Sequence, residues 1–232
     1  MAAVTHGQVL ASTSNASSYT TASFTPAAGD LLVVFVAKSA SLVDGTVTDS
    51  LGGTYTLYAT ANKASGNDEC HVFIANQLTN GSARTITYDC AGDAATGCFI
   101  FVARVSGMTR IGVSAGRQSA AVNTGGAGTT PAPTFGVACL TGNPTLGLIF
   151  NETSPAGMTP PTGWTEPVAD QGIAQPTSGA EYVARNSGFT GTTVTWGSTS
   201  ASAFAALVLE LDSTTAPTGP KPGTLAMLGA GR

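Results

Sequence analysis

The feature that most restricts this chain is the period of its apolar residues. They come in short solid runs or alternate with polar ones, and no stretch of ten or more keeps a helical period. Leu31–Val36 is a solid run bounded by Pro26, Gly29 and Asp30, the pattern of a central strand buried on both faces or in a sandwich core. Thr54–Thr60 sets Tyr55, Leu57 and Ala59 against Thr54, Thr56, Tyr58 and Thr60, directly after the turn Asp49-Ser50-Leu51-Gly52-Gly53. Cys70–Ala75, Arg84–Tyr88 and Phe99–Val105 follow, separated by Asn80-Gly81 and by the loop Gly92–Gly97. Each break carries turn chemistry.

A surface for such strands must come from hydroxyls, because charge is scarce. Asp, Glu, Lys and Arg make up 9% of the 232 residues, against about 25% in ordinary soluble domains, whereas Ser and Thr number 20 and 35. Threonine suits the solvent face of a pleated sheet, being β-branched and polar at once. With 42% apolar residues a core is assured, and disorder driven by charge is excluded. A net charge of −4 supplies no footprint for nucleic acid or for an anionic membrane, so neither is expected as a partner. The longest apolar runs, Leu31–Ala37 and Ala203–Leu209, are far shorter than the roughly 18 residues of a membrane helix. Met1–His6 has neither a basic nor an apolar signal region, so the expectation is a protein not secreted by a signal peptide. The four cysteines, Cys70, Cys90, Cys98 and Cys139, then read as buried thiols, in no zinc-binding spacing.

The second half repeats the first in order. Leu31–Val36 matches Thr145–Phe150, and Gly53-Thr54-Tyr55-Thr56 matches Thr162-Gly163-Trp164-Thr165. Cys70–Ala75 matches Ala180–Ala184, Arg84–Tyr88 matches Thr192–Trp196, and Phe99–Val105 matches Phe204–Glu210. The offset shrinks from about 114 to about 106 residues, as loop shortening produces. The expected fold is all-β: an antiparallel, jelly-roll-like β-sandwich of two internal repeats around a pseudo-twofold. Residues 1–106 form the first repeat and 107–133 a Gly/Ser/Thr-rich joint with a short strand and a loop. Residues 134–212 form the second repeat, packed with the first as one sandwich, and 213–232 a Pro-rich tail.

Chemistry is thin. Gly112-Val113-Ser114-Ala115-Gly116 fits G-x-S-x-G, but no helical pattern follows Ser114, and His6 and His71 both precede it. Asp44, Asp49, Asp68, Glu69, Asp89 and Asp93 could pair as in a glycosidase or gather around Ca²⁺. Asp at a turn more commonly accepts its own backbone N–H, and no D-x-D-x-D-G series is present. His71 reads as a surface or satisfied histidine. No catalytic residue, metal or cofactor is expected. Among the aromatics Trp196 reads as core, and Trp164, after Pro160-Pro161-Thr162-Gly163, is the candidate to stack on a sugar ring. The sequons at Asn15, Asn80 and Asn151 carry little weight in so Ser/Thr-rich a chain.

The succession Pro26-Ala27-Ala28-Gly29-Asp30-Leu31-Leu32-Val33-Val34, Asp49–Tyr55, Phe73-Ile74-Ala75-Asn76, Thr85-Ile86-Thr87 and Phe99–Val105 resembles β-sandwich modules of bacteriophage virion proteins and of modular bacterial surface proteins. The likeness covers roughly residues 20–212 and rests on strand and turn signatures. It implies a rigid sandwich for display or attachment and no catalytic set. The expectation is a non-enzymatic structural protein of a tailed-phage virion, assembled in the host cytoplasm: a capsid decoration or minor capsid subunit, or one on the neck or tail surface. Its partners would be other virion proteins or copies of itself, held through Leu225, Met227 and Leu228 of the tail. The alternative is a carbohydrate-binding or adhesive module that takes a surface glycan at Trp164.

Overall fold

The computed structural model describes residues 2–39, 43–63, 68–152, 158–166, 172–175 and 178–214. Among them the chain is all-β and β-sandwich-like, with every strand pair antiparallel and a single 3₁₀ turn at Gly112–Ala115. The first half supplies β1 (Ala3–Ser12), β2 (Ser18–Thr20), β3 (Leu31–Ser39), β4 (Thr46–Asp49), β5 (Tyr55–Lys63), β6 (Asp68–Ala75), β7 (Ile86–Asp89) and β8 (Gly97–Ser106). The second supplies β9 (Gly116–Gly125), β10 (Thr145–Asn151), β11 (Gly172–Gln175), β12 (Ser178–Arg185) and β13 (Phe204–Leu211). One five-stranded sheet runs β1-β8-β3-β6-β5, another β11-β12-β10-β13-β9, and β2-β7-β4 makes a small third sheet.

The two large sheets pack face to face. Phe35 and Phe101, directly paired across β3 and β8, meet Tyr182 of β12, and Leu146, Leu148, Phe150, Leu207 and Leu209 complete the shared core. The outer faces are covered too. Tyr19, Val47, Ile86 and Tyr88 of the third sheet lie in the same core as the first large sheet. Phe135, Cys139, Met158, Trp164, Val194 and Trp196 cover Ile149, Val183 and Val208 on the second. Both faces of β3, β10 and β13 are therefore dry, which is why those sequences run solid and not alternating. Gly147 fits this arrangement: a Cβ there would lie 3.1–3.3 Å from Val208, Val183 and the Trp196 ring.

Four features differ from the sequence reading. β1 pairs along β8 although its half-exposed, weakly alternating residues gave no strand signal. The 107–133 joint contains β9, ten residues long, an edge strand of the second sheet, so that sheet begins at Gly116 and not at residue 134. A bulge between Leu57 and Ala59 in β5 breaks the alternation: Leu57 faces Phe73 and Ala59 faces Val72, so the two do not share a side. Thr192–Trp196 is no strand, but its backbone bonds to Pro131, Pro133 and Phe135, much as Arg84 and Ile86 bond to Phe24 and Thr21.

Candidate functional site

Two places collect chemistry among the described residues. The first is a groove of about 220 Å³ on the outer side of the second sheet, lined by Pro161, Thr162, Trp164, Arg185, Phe189, Thr193, Val194 and Thr195. Trp164 is held by Gly163, whose φ of +79° turns the chain, and its ring meets Phe189 edge-on with centroids 5.8 Å apart. Only 7% of Trp164 is exposed, so it lines the groove with an edge and offers no open face for stacking. The expectation of a sugar platform is modified accordingly, because the outer sheet face needed a large apolar cover and the indole provides it. Arg185 forms the floor, donating from Nε to Ser187 O (3.0 Å) and from Nη2 to Gly188 O (2.9 Å). At the matching end of the first sheet the space beside Leu32 and Tyr55 is filled: Arg84 Nη1 donates to Asp49 Oδ2 at 2.9 Å and leaves no cavity.

The second place is a buried charged cluster on the outer face of the first sheet, beneath the third. Lys38 of β3 pairs with Glu69 of β6, with Nζ 3.0 Å from Oε2, and His71 Nε2 lies 3.0 Å from the same oxygen. All three side chains are dry. Burial works to raise the Glu69 carboxyl, but the bonds from His71 and Lys38 outweigh it, and its pKa falls below the ordinary value. Tyr88 closes over His71 with ring centroids 6.1 Å apart. Glu69 is thus no turn former, and His71 lies not at the surface but enclosed, with its Nε2 satisfied by Glu69. Two-residue alternation put them on one face, and only the third sheet made that face interior.

The remaining sites resolve simply. Ser114 Oγ donates to Ile111 O at 2.7 Å, and an extended strand follows it. Asp49 and Asp89 accept backbone N–H groups two residues on, from Leu51 and Ala91, as turn aspartates do. All four cysteines are buried, and Cys70 Sγ donates to Ala205 O. Trp196 is core, and its Nε1 donates to Glu181 Oε1 at 3.3 Å. Burial, reinforced by the charge of Glu166, pushes Glu181 up to about 8. Leu225, Met227 and Leu228 lie outside the described residues. The last described residues bind the frame: Ser213 Oγ donates to Gly142 O, and Arg110 reaches Thr214 O.

Among the described residues, fold and sites together define an all-β protein of stacked antiparallel sheets, with several of its few charges buried and a hydroxyl-lined groove on the second sheet. No model of a known protein family matches the chain, and no curated protein sequence matches it.

Proposed function

We propose that this chain is a non-enzymatic structural protein of a tailed-bacteriophage virion, a capsid decoration or minor capsid subunit held by protein–protein contacts. The observation that carries the reading is the use made of charge. Lys38, Glu69, Arg84, Asp49, Glu181 and Glu210 are buried inside the frame, so the described exterior is poor in charge and rich in Ser and Thr. Such a surface suits a subunit that coats a particle by shape and hydrogen bonding and not by electrostatic steering. The jelly-roll-like duplication belongs to the same reading. In its support, counting only the strands of each large sheet in chain order, both sheets have the order first, fifth, second, fourth, third, and β1 lies against β11 as β9 lies against β5.

In this proposal Leu225, Met227 and Leu228 anchor the chain on a neighbouring virion protein or a second copy. Mass spectrometry of purified particles tests the location, and deletion of residues 215–232, which keeps the Ser213 contacts, tests the anchor. The truncated protein should keep its far-UV CD spectrum and be lost from particles; full incorporation would exclude the anchor.

A second reading rests on the groove. Trp164, Phe189, Thr193, Thr195 and Arg185 offer an apolar edge beside hydroxyls, a composition that suits a glycan. Phe189→Ala, at a half-buried position, should abolish binding on a glycan array, and an array on which the native protein binds nothing removes this reading.

A further inference from the structure

His71 is fully enclosed, yet only one of its ring nitrogens is used. Nε2 faces Glu69 Oε2, an oxygen also held by Lys38, so Nε2 carries the imidazole proton and donates it. With Nε2–H donating, the neutral ring presents a lone pair at Nδ1, which makes no hydrogen bond among the described residues. Nδ1 lies 3.7 Å from Asp44 Oδ1, on a side chain 59% exposed to solvent. In the neutral tautomer a ring nitrogen and a carboxylate oxygen thus face one another, and the carboxylate side is exposed to solvent.

We propose that His71 Nδ1 and the Asp44 carboxylate bind a divalent transition-metal ion of the Zn²⁺ class, with Glu69 positioning the imidazole from behind and water completing the shell. Donors 3.7 Å apart, each about 2.1 Å from an ion, subtend about 120° at it, close to the tetrahedral arrangement Zn²⁺ adopts. A carboxylate behind a ligating histidine fixes its tautomer and raises its basicity, the role Glu69 takes here. Asp44, Glu69 and His71 place one donor atom each within 4.8 Å of one another. Glu69 stays in the supporting position because its Oε2 is shared by Lys38 and His71, and Lys38 offsets its charge. One nitrogen and one carboxylate favour Zn²⁺ or Co²⁺ over Ca²⁺ and Mg²⁺, which take oxygen shells. The bound ion clips β6 to the connection between β3 and β4, beside the third sheet.

Calorimetric titration of the full chain with Zn²⁺ and with Co²⁺ should give one ion per chain. Asp44→Ala, at an exposed position, should keep the CD spectrum and weaken binding about tenfold or more, while His6→Gln leaves it unchanged. In ¹⁵N spectra Zn²⁺ should move the Nδ1 resonance of His71 and leave its Nε2–H in place. For Glu69, the readout is the tautomer: Glu69→Gln should mix the two neutral forms of His71, and retention of the single Nε2–H form would remove Glu69 from the arrangement. Equal Zn²⁺ affinity in the native protein and Asp44→Ala, or a His71 Nδ1 resonance unmoved at saturating Zn²⁺, would overturn the site.

Discussion

Phe101 stacks on Tyr182 with ring centroids 3.6 Å apart and planes 14° from parallel, and this contact joins β8 of the first large sheet to β12 of the second. Phe35 meets the same tyrosine edge-on at 5.4 Å. Phe101→Ala and Phe35→Ala should each lower stability by about 3–5 kcal/mol in urea titrations, since each empties a site at the centre of the shared core. Residues 1–106 expressed alone should aggregate for the same reason, because their inner face is left bare. A soluble, cooperatively folding fragment would show that the halves are independent.

Arg84 and Asp49 form a buried pair in which Asp49 Oδ1 also accepts the N–H groups of Leu51 and Gly53, both at 2.9 Å. Arg84→Met leaves that carboxylate without its cation in a dry site and should cost about 3–5 kcal/mol by thermal or chemical unfolding. Arg84→Met combined with Asp49→Asn should recover part of the loss, because the uncompensated charge is then gone.

Glu181 gives the protein a pH dependence of defined sign. Its pKa stands at about 8 in the folded chain, raised by burial and by Glu166, and falls to the ordinary carboxyl value on unfolding. Between those values the folded state holds the proton that the unfolded state has released. The stabilisation is complete below the unfolded pKa and is lost as pH rises towards 8. Glu181→Gln should flatten the stability profile across this window, as followed by the urea midpoint at a series of pH values.

Gly147 sits under Trp196, where a methyl group fits only if its neighbours give way slightly. Gly147→Ala places a carbon 3.1–3.3 Å from three side chains on both neighbouring strands and on the covering segment. A cost of about 1–3 kcal/mol is expected, together with a change in the tryptophan fluorescence as the indole shifts.

The thiols should be inert until the protein unfolds. Burial raises the pKa of Cys90 and Cys98, and it pushes Cys139 up to about 12 with help from Glu210. Ellman's reagent at pH 8 should label none of the four cysteines in the native protein and all of them in denaturant, so rapid native labelling would contradict their burial.

Much of this architecture was legible in the residues because strands are written at short range. The solid runs Leu31–Val36, Phe99–Val105 and Phe204–Leu209, and the glycine and asparagine turns between them, place β3, β8 and β13 with no knowledge of their partners. β1 gave no signal, and β9 only that of a short strand in the 107–133 joint, because each is an edge strand whose half-exposed residues need no strong pattern; pairing with β8 and β13 defines them. The candidate sites were less legible. Trp164 carries the same local signature whether it faces solvent or covers a sheet, and His71 and Glu69 alternate like surface residues. What the amino-acid order alone determined was strand identity, the all-β class and the burial of the central strands, since these follow from period and turn chemistry. Which face of each strand became interior was decided by the tertiary structure. The third sheet and the segments that cover the second large sheet come from other parts of the chain, and only their packing buried Lys38, Glu69 and His71 as partners of one another and Glu181 as a partner of Trp196.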